Sequence, residues 1–406
     1  MPGNFLKELG VDQPIILAPM AGGSGTPELV AAVSNAGGLG SWGGGYATPQ
    51  QILDAAKQIR ALTSKPFALN LFAGGYNIRP PVDPAPMLAM VTKAHEALGL
   101  PPPVLPPVPE NPFDDQLAAV IEARPALFSF TFGIPDADAL ARLRKAGIRT
   151  CGTATTVEEG RALAAAGVES IAAQGEEAGA HRGTFLAAME DSMVPTLDLT
   201  RGIVAATSLP VFASGGLMDG RDIAAALATG AQAAQLGTAF LVCPESGAAA
   251  PYKKALCDAR EDTTVITRAY SGREARGLRN KFIDMTADTP ILPFRQQNDL
   301  TRPMRTESGK KGTPDYISLW AGRGVTRARH AGGRADENAN RGNRWRVTRS
   351  AGRAGCGRRH GPRHRACDAR SALSPRLFPP PCAPAPPASA NNRFRRCRDR
   401  RQPARA

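Results

Sequence analysis

The chain has 406 residues, 42% of them hydrophobic, enough to pack a large core and to exclude wholesale disorder. No apolar run approaches the roughly 18 residues of a membrane-spanning helix, and the opening MPGNFLKELG puts Lys7 and Glu8 where a signal peptide needs apolar residues. The seven cysteines form no CxxC pair, so neither a zinc site nor a disulfide framework is expected, and the composition predicts a reduced, cytoplasmic, enzyme-sized protein.

The net charge of +14 is unevenly spread. From Thr326 to Ala406 there are 21 arginines, no lysine and four acids, a local charge of +17, which leaves −3 for the first 325 residues. Two kinds of sequence therefore meet near residue 325: a catalytic domain over 1–325 and a tail over 326–406. The tail is rich in Arg, Ala, Gly and Pro and keeps neither helical nor strand periodicity, so it is not expected to fold alone. Those four residues are what GC-rich codons yield in an unintended frame, and that reading is preferred. The other reading is a disordered arginine-rich arm for phosphate backbones. With a nearly neutral body and no aromatic stacking platform, no specific nucleic-acid partner is expected.

The body alternates short apolar runs with Ala/Leu-rich helical stretches. PIILAPM (14–20) leads into TPELVAAVSNAG, where Thr26 is a helix N-cap and Pro27 the first helical residue. LGSWGGG (39–45), TPQQILDAAKQIRAL and PFALNLF (66–72) follow. A looser stretch contains PPPVLPPVPENP, read as an inserted rigid loop. The beat resumes with LFSFTFG (127–133), IRTCGTA (148–154), SIAAQG (170–175), PVFASGG (210–216) and AAQLGTAF (233–240), with DADALARLRKAG and TVEEGRALAAAG among the intervening helices. Eight strand–helix units predict an α/β fold, a TIM (β/α)8 barrel. GLGSWG (38–43) matches GxGxxG, but its glycines leave a helix and enter a strand, the reverse of a dinucleotide-binding turn.

A barrel collects its chemistry at the carboxyl ends of its strands. That selects Met20, Asn70, Gln174 to Gly183, Ser214 to Gly216, and Gln235 to Thr238. The SGG and QLGT turns end consecutive strands, where glycine backbone N–H groups commonly hold a phosphate. QGEEAGAHRG (174–183) brings three glycines, two acids, a histidine and an arginine to the same face. Of the two histidines before residue 326, His95 lies in a helix-like stretch and reads as a surface residue. His181 sits on a flexible loop where a base with pKa near 7 could be poised, against the bland alternative of a structural histidine. Glu176 and Glu177 read as supporting or solvated carboxylates, and Arg182 as their ion-pair partner rather than a substrate clamp. Lys310 or Lys311 is a candidate to reach the site from the C-terminal segment.

Together PIILAPMAGGSGTPELVAAVSNAGGLG, AQGEEAGAHRG, PVFASGGLMDG, AAQLGTAF and SGREARGLRN resemble the nitronate monooxygenase family, formerly called 2-nitropropane dioxygenases, over about Pro14 to Val325. The resemblance implies an FMN-dependent flavoprotein, an oxidoreductase that converts alkyl nitronates and O2 to a carbonyl compound and nitrite. It implies that His181 is the catalytic base or substrate-orienting group. Asn70 and Gln174 are expected to contact FMN, Gly179 to lie beside its ring, and Gly215, Gly216, Gln235, Gly237 and Thr238 to hold its phosphate. A nitronate anion calls for a histidinium or an arginine, whereas a neutral nitroalkane calls for a neutral His181, and the sequence does not choose. The alternative on the same fold is a flavin reductase of a quinone or enoyl thioester driven by NAD(P)H. Oligomeric state is left open, homo-oligomers included. The chain departs from the family at Ala180, where a glycine is expected, and after LWAG, where an amphipathic helical ending is expected and the Arg-rich tail stands instead.

Overall fold

A computed structural model describes residues 5–75 and 82–329; beyond Thr326–Arg329, the tail and the readings attached to it lie outside the described residues. All eight apolar runs become strands: β1 (Ile15–Leu17), β2 (Gly40–Gly43), β3 (Phe67–Phe72), β4 (Leu127–Thr131), β5 (Arg149–Ala154) and β6 (Ser170–Gln174). After the two-residue β7 (Ala180–His181) come β8 (Val211–Ser214) and β9 (Ala233–Leu236), and then β10 (Thr264–Thr267) and β11 (Ala275–Leu278). The eight long-range partners pair in parallel in the order β1-β9-β8-β6-β5-β4-β3-β2. Leu17 N–H donates to Leu39 O and Leu39 N–H to Ile15 O, both at 2.9 Å, so β1 meets the entry to β2 and the barrel closes. The fold is a TIM barrel.

Local chemistry agrees with this architecture. Thr26, Thr48, Asp136 and Thr156 each accept a backbone N–H from the first turn of the following helix. Such caps are worth about 1 kcal/mol apiece because they satisfy otherwise orphaned donors. Leu29, Ile52, Ile59, Leu117, Leu163 and Ile203 bury the inner stripes of the helices against the outer face of the sheet. The glycines of GLGSWG serve that packing: a Cβ on Gly40 would stand 2.1 Å from the Val30 carbonyl oxygen.

The helix Phe5–Glu8 plugs the barrel at the amino ends of the strands, with the Phe5 ring 6.1 Å from that of Phe212 and small interior side chains (Ala68, Cys151, Ala172, Ala233) around it. The opposite mouth is left to a three-stranded antiparallel sheet, ordered β10-β11-β7. His181 therefore lies on a strand opposite Ala275, not on a flexible loop. The Pro-rich insert, 101–112, contains neither helix nor strand and is tied down by Gln296 Nε2, which donates to Pro106 O at 2.8 Å. His95 does not fit its surface reading. It is only 4% exposed, and its Nδ1 lies 2.6 Å from Pro101 O, so it fastens the start of the insert to its helix.

Candidate active site

A cavity of roughly 1120 Å3 opens at the carboxyl ends of the barrel strands. Met20, Asn70, Gln174, Gly179, His181, Gly215, Gly216, Gln235, Gly237 and Thr238 all line it, so ten positions scattered over 219 residues of sequence converge on one space. On one side, Gly215 and Gly216 turn with φ of 135° and 67°, a region open chiefly to glycine. A Cβ on Gly215 would lie 2.5 Å from Thr196 Oγ1. Gln235 Nε2 donates to Ser214 Oγ at 3.2 Å, and Thr238 Oγ1 accepts Gly322 N–H at 3.0 Å, leaving the Thr238 hydroxyl proton available to the cavity. Asn70 enters from the end of β3, its amide donating to Ser129 Oγ at 2.9 Å.

His181 lines the same cavity as the glycine turns. Its Nε2 lies 2.9 Å from Ser271 Oγ, a fully buried hydroxyl in the SGREARGLRN segment. Phe132, Phe294 and Trp320 surround the ring with centroids 5.7–5.8 Å away, and Phe72 stands at 6.3 Å. Burial, reinforced by the positive charges of Arg273 and Arg305, pushes the imidazole pKa down to about 3. His181 is therefore neutral throughout the physiological range.

The segment bearing His181 is clamped from below. Gln174 Nε2 donates to His181 O at 2.9 Å and Gln174 Oε1 accepts Gly183 N–H at 2.7 Å. Arg182 is buried and makes no ion pair with Glu176 or Glu177, contrary to expectation; its guanidinium donates to the carbonyls of Gly175, Gln174 and Ser192. Three converging backbone oxygens accept from its two Nη groups, its Nε having no partner among the described residues, while the two acids are engaged elsewhere. Glu176 pairs with Arg323 at 3.1 Å and Glu177 accepts from Thr196 N–H and Oγ–H. Beyond Gly183, the fully buried Glu159 accepts from Thr155 N–H and Oγ–H, Thr184 Oγ–H, Phe185 N–H and Leu186 N–H. Burial works to raise its pKa, but these hydrogen bonds overrule burial and hold the carboxyl below its usual range.

The remaining wall comes from the C-terminal third. A Cβ on Gly179 would lie 2.5 Å from both Ala321 C and Gly322 N, so the glycine lets this segment close over the site and carry Trp320 onto His181. Tyr252 Oη donates to the Trp320 carbonyl from the other side. Val325 and Ala328 are buried against Tyr252 and Leu256, so the described end of the chain packs well. The helix Gln296–Lys310 presents Asn298, Arg302, Arg305, Thr306 and Lys310 to the cavity. Lys311 instead donates to Leu98 O at 2.6 Å. Ala180 adopts φ of 63°, the left-handed conformation for which the expected glycine is suited. Sequence reasoning missed Ser271, Glu159, the aromatic wall and the helix arginines, although Ser271, Glu159, Phe72, Phe132 and Trp320 all stand within segments quoted above.

The chain is similar to known proteins in sequence and fold. A family profile described as nitronate monooxygenase matches residues 4–335. A nitronate monooxygenase from Pseudomonas aeruginosa is 43% identical over 335 residues, 81% of this chain and 95% of its own length. Among solved structures, a nitroalkane oxidase from Streptomyces ansochromogenes is 39% identical with a TM-score of 0.73, covering 80% of this chain and 93% of that one. FabK from Thermotoga maritima is more distant, 28% identical with a TM-score of 0.62 over 80% of this chain and 90% of that one. With the profile spanning most of the chain and the cavity built from the matched residues, the chain belongs to the nitronate monooxygenase family, a family of oxidoreductases.

Proposed function

We propose that the protein is an FMN-dependent enzyme that oxidises alkyl nitronates with O2 to a carbonyl compound and nitrite. The observation that carries this reading is the meeting, in one cavity, of a glycine-turn cradle at β8 and β9 with a neutral histidine in an aromatic wall. The cavity residues fit FMN. A mononucleotide phosphate is accommodated where Gly215, Gly216 and Gly237 leave the backbone bare and the Thr238 hydroxyl is free to donate. Asn70 supplies an amide for the polar edge of the ring, Gln235 one beside the phosphate, and Met20 an apolar contact. Gln174, with both amide groups engaged by the His181 segment, acts mainly as a positioning residue. When bound, FMN supplies electron acceptance from the substrate carbon and subsequent reaction with O2.

The protein's own groups then have separable tasks. The Ser271 hydroxyl donates to Arg273 O at 3.1 Å, which favours the tautomer in which His181 Nε2–H donates to Ser271 Oγ. Nδ1 keeps its lone pair. With a preformed nitronate no proton need move, and the ring serves as a wall; a neutral nitroalkane must give its α-proton to Nδ1, a weak base at a pKa of about 3, so the preformed anion is the better substrate. Phe72, Phe132, Phe294 and Trp320 exclude water, which strengthens electrostatic contacts to the anion. The test is aerobic turnover of propyl-2-nitronate by the flavin-loaded protein, following nitrite release and O2 uptake together. The reading predicts both with propyl-2-nitronate and neither with NADH alone. NADH-driven reduction of a quinone or enoyl thioester, with no nitrite, would replace it with the reductase alternative.

A further inference from the structure

We infer that Arg302 recruits the anionic substrate to the cavity and makes the enzyme prefer nitronates over their neutral nitroalkane acids. The inference rests on the nitronate reading above. An anion needs positive charge near its path, and His181 is neutral, so the charge has to come from elsewhere. Among the described residues three cations line the cavity, Arg302, Arg305 and Lys310, against one carboxylate, Asp54. Their environments differ. Arg305 is occupied by Asn298, its Nη2 donating to the main-chain oxygen at 2.8 Å and to Oδ1 at 2.9 Å, so it supplies a fixed background charge. Lys310 is already paired with Glu307 at 3.5 Å. Arg302 is exposed and makes no ion pair with any described residue. Its guanidinium lies 5.7 Å from the centroid of the Tyr46 ring, which it shares with Arg295 at 5.4 Å, a contact that leaves its charge unneutralised. Asp299, the other acid on this stretch of helix, is taken by Arg295 at 3.4 Å.

The helix puts this charge at the cavity wall. Asn298, Arg302, Thr306 and Lys310 recur every four residues, so one face of Gln296–Lys310 looks into the space, which Asp54 on the helix Pro49–Leu62 also lines. An unpaired cation on the approach to a low-dielectric cavity raises the encounter rate of an anion, and salt screens it over about 10 Å at 0.1 M. A neutral nitroalkane gains nothing from it.

The experiment compares the flavin-loaded wild type with R302Q and R302K, and with R161Q as a control for an exposed arginine far from the cavity. Propyl-2-nitronate is the anionic substrate and freshly dissolved 2-nitropropane the neutral one, each at low and high salt. The expected result is about a three- to tenfold fall in kcat/KM for the nitronate in R302Q at low salt, carried by KM. R302K restores most of it, the salt dependence flattens in R302Q, and the neutral substrate and R161Q are unaffected. Equal losses on both substrates, or a wild-type salt slope in R302Q, would overturn the inference while leaving the nitronate reading intact. Absence of nitronate turnover in the wild type would instead remove the reading on which it rests.

Discussion

Replacing Glu159 tests how the site is held. The carboxylate takes five donors and is fully buried, three of the donors being the backbone N–H groups of Thr155, Phe185 and Leu186 at 2.6, 2.6 and 3.0 Å. Truncation to Ala strands those amides. Hydroxyl groups can turn to new partners, and the Leu186 N–H borders an exposed side chain and can reach water. Two buried donors, the N–H groups of Thr155 and Phe185, then remain, at about 1–3 kcal/mol each, so E159A should lose about 2–6 kcal/mol. E159Q keeps one acceptor but sets an amide NH2 against N–H groups, and should lose about 2–3 kcal/mol. At about 2–4 °C per kcal/mol, the melting temperature should drop on the order of 10 °C for E159A. The assay is thermal and urea unfolding of both variants, with limited proteolysis to ask whether residues 183–187 open before the barrel does. Because the folded carboxyl is held low, it contributes stability above its ordinary value of 4.5 and loses it as pH falls through the folded value. E159Q should lack that acid-side loss. Stability within 1 kcal/mol of wild type for E159A would refute the argument.

Other consequences follow from single residues. A180G relieves an alanine at φ of 63° and should stabilise the protein by about 1 kcal/mol, net of the added freedom of the unfolded chain, read as a rise in urea midpoint. G179A forces a Cβ to within 2.5 Å of the Ala321–Gly322 backbone, so the segment bearing Trp320 should shift, seen as altered tryptophan fluorescence and a loss of about 2–4 kcal/mol. With His181 held near 3, proton abstraction from a neutral nitroalkane should show no acid limb between pH 5 and 8; a limb near 6.5 would contradict the assignment. The same depressed pKa means the unfolded chain binds the proton more readily between about 3 and 6.5, so H181Q should weaken the dependence of stability on pH there, by at most about 1.4 kcal/mol per pH unit and less because the ring borders the water of the cavity.

The barrel was legible because its strands are buried on both faces and its helices carry local punctuation. Runs such as FALNLF and SIAAQ need no partner to be recognised, and Thr26, Thr48, Asp136 and Thr156 cap helices with groups only three residues away. The small sheet was not legible, since β7 is two residues long and gains its meaning only from Ala275 and Arg276, nearly a hundred residues later. The ten cavity residues came from reading strand ends and from a family resemblance. The aromatic wall joins positions 72, 132, 294 and 320, a set that no local pattern links. Arg182 was misjudged because charge invites pairing with neighbouring acids, while in the fold the nearest partners are carbonyl oxygens. His95 was misjudged because a helix periodicity does not reveal a proline-rich insert lying over it.

The most direct test of the whole account is the visible spectrum of the purified protein under anaerobic conditions, first alone, then with an alkyl nitronate, and separately with NADH. The account predicts a yellow protein whose flavin bands change on adding the nitronate, return on admitting O2 with release of nitrite, and stay unaltered with NADH. Rapid bleaching by NADH together with indifference to the nitronate would contradict it.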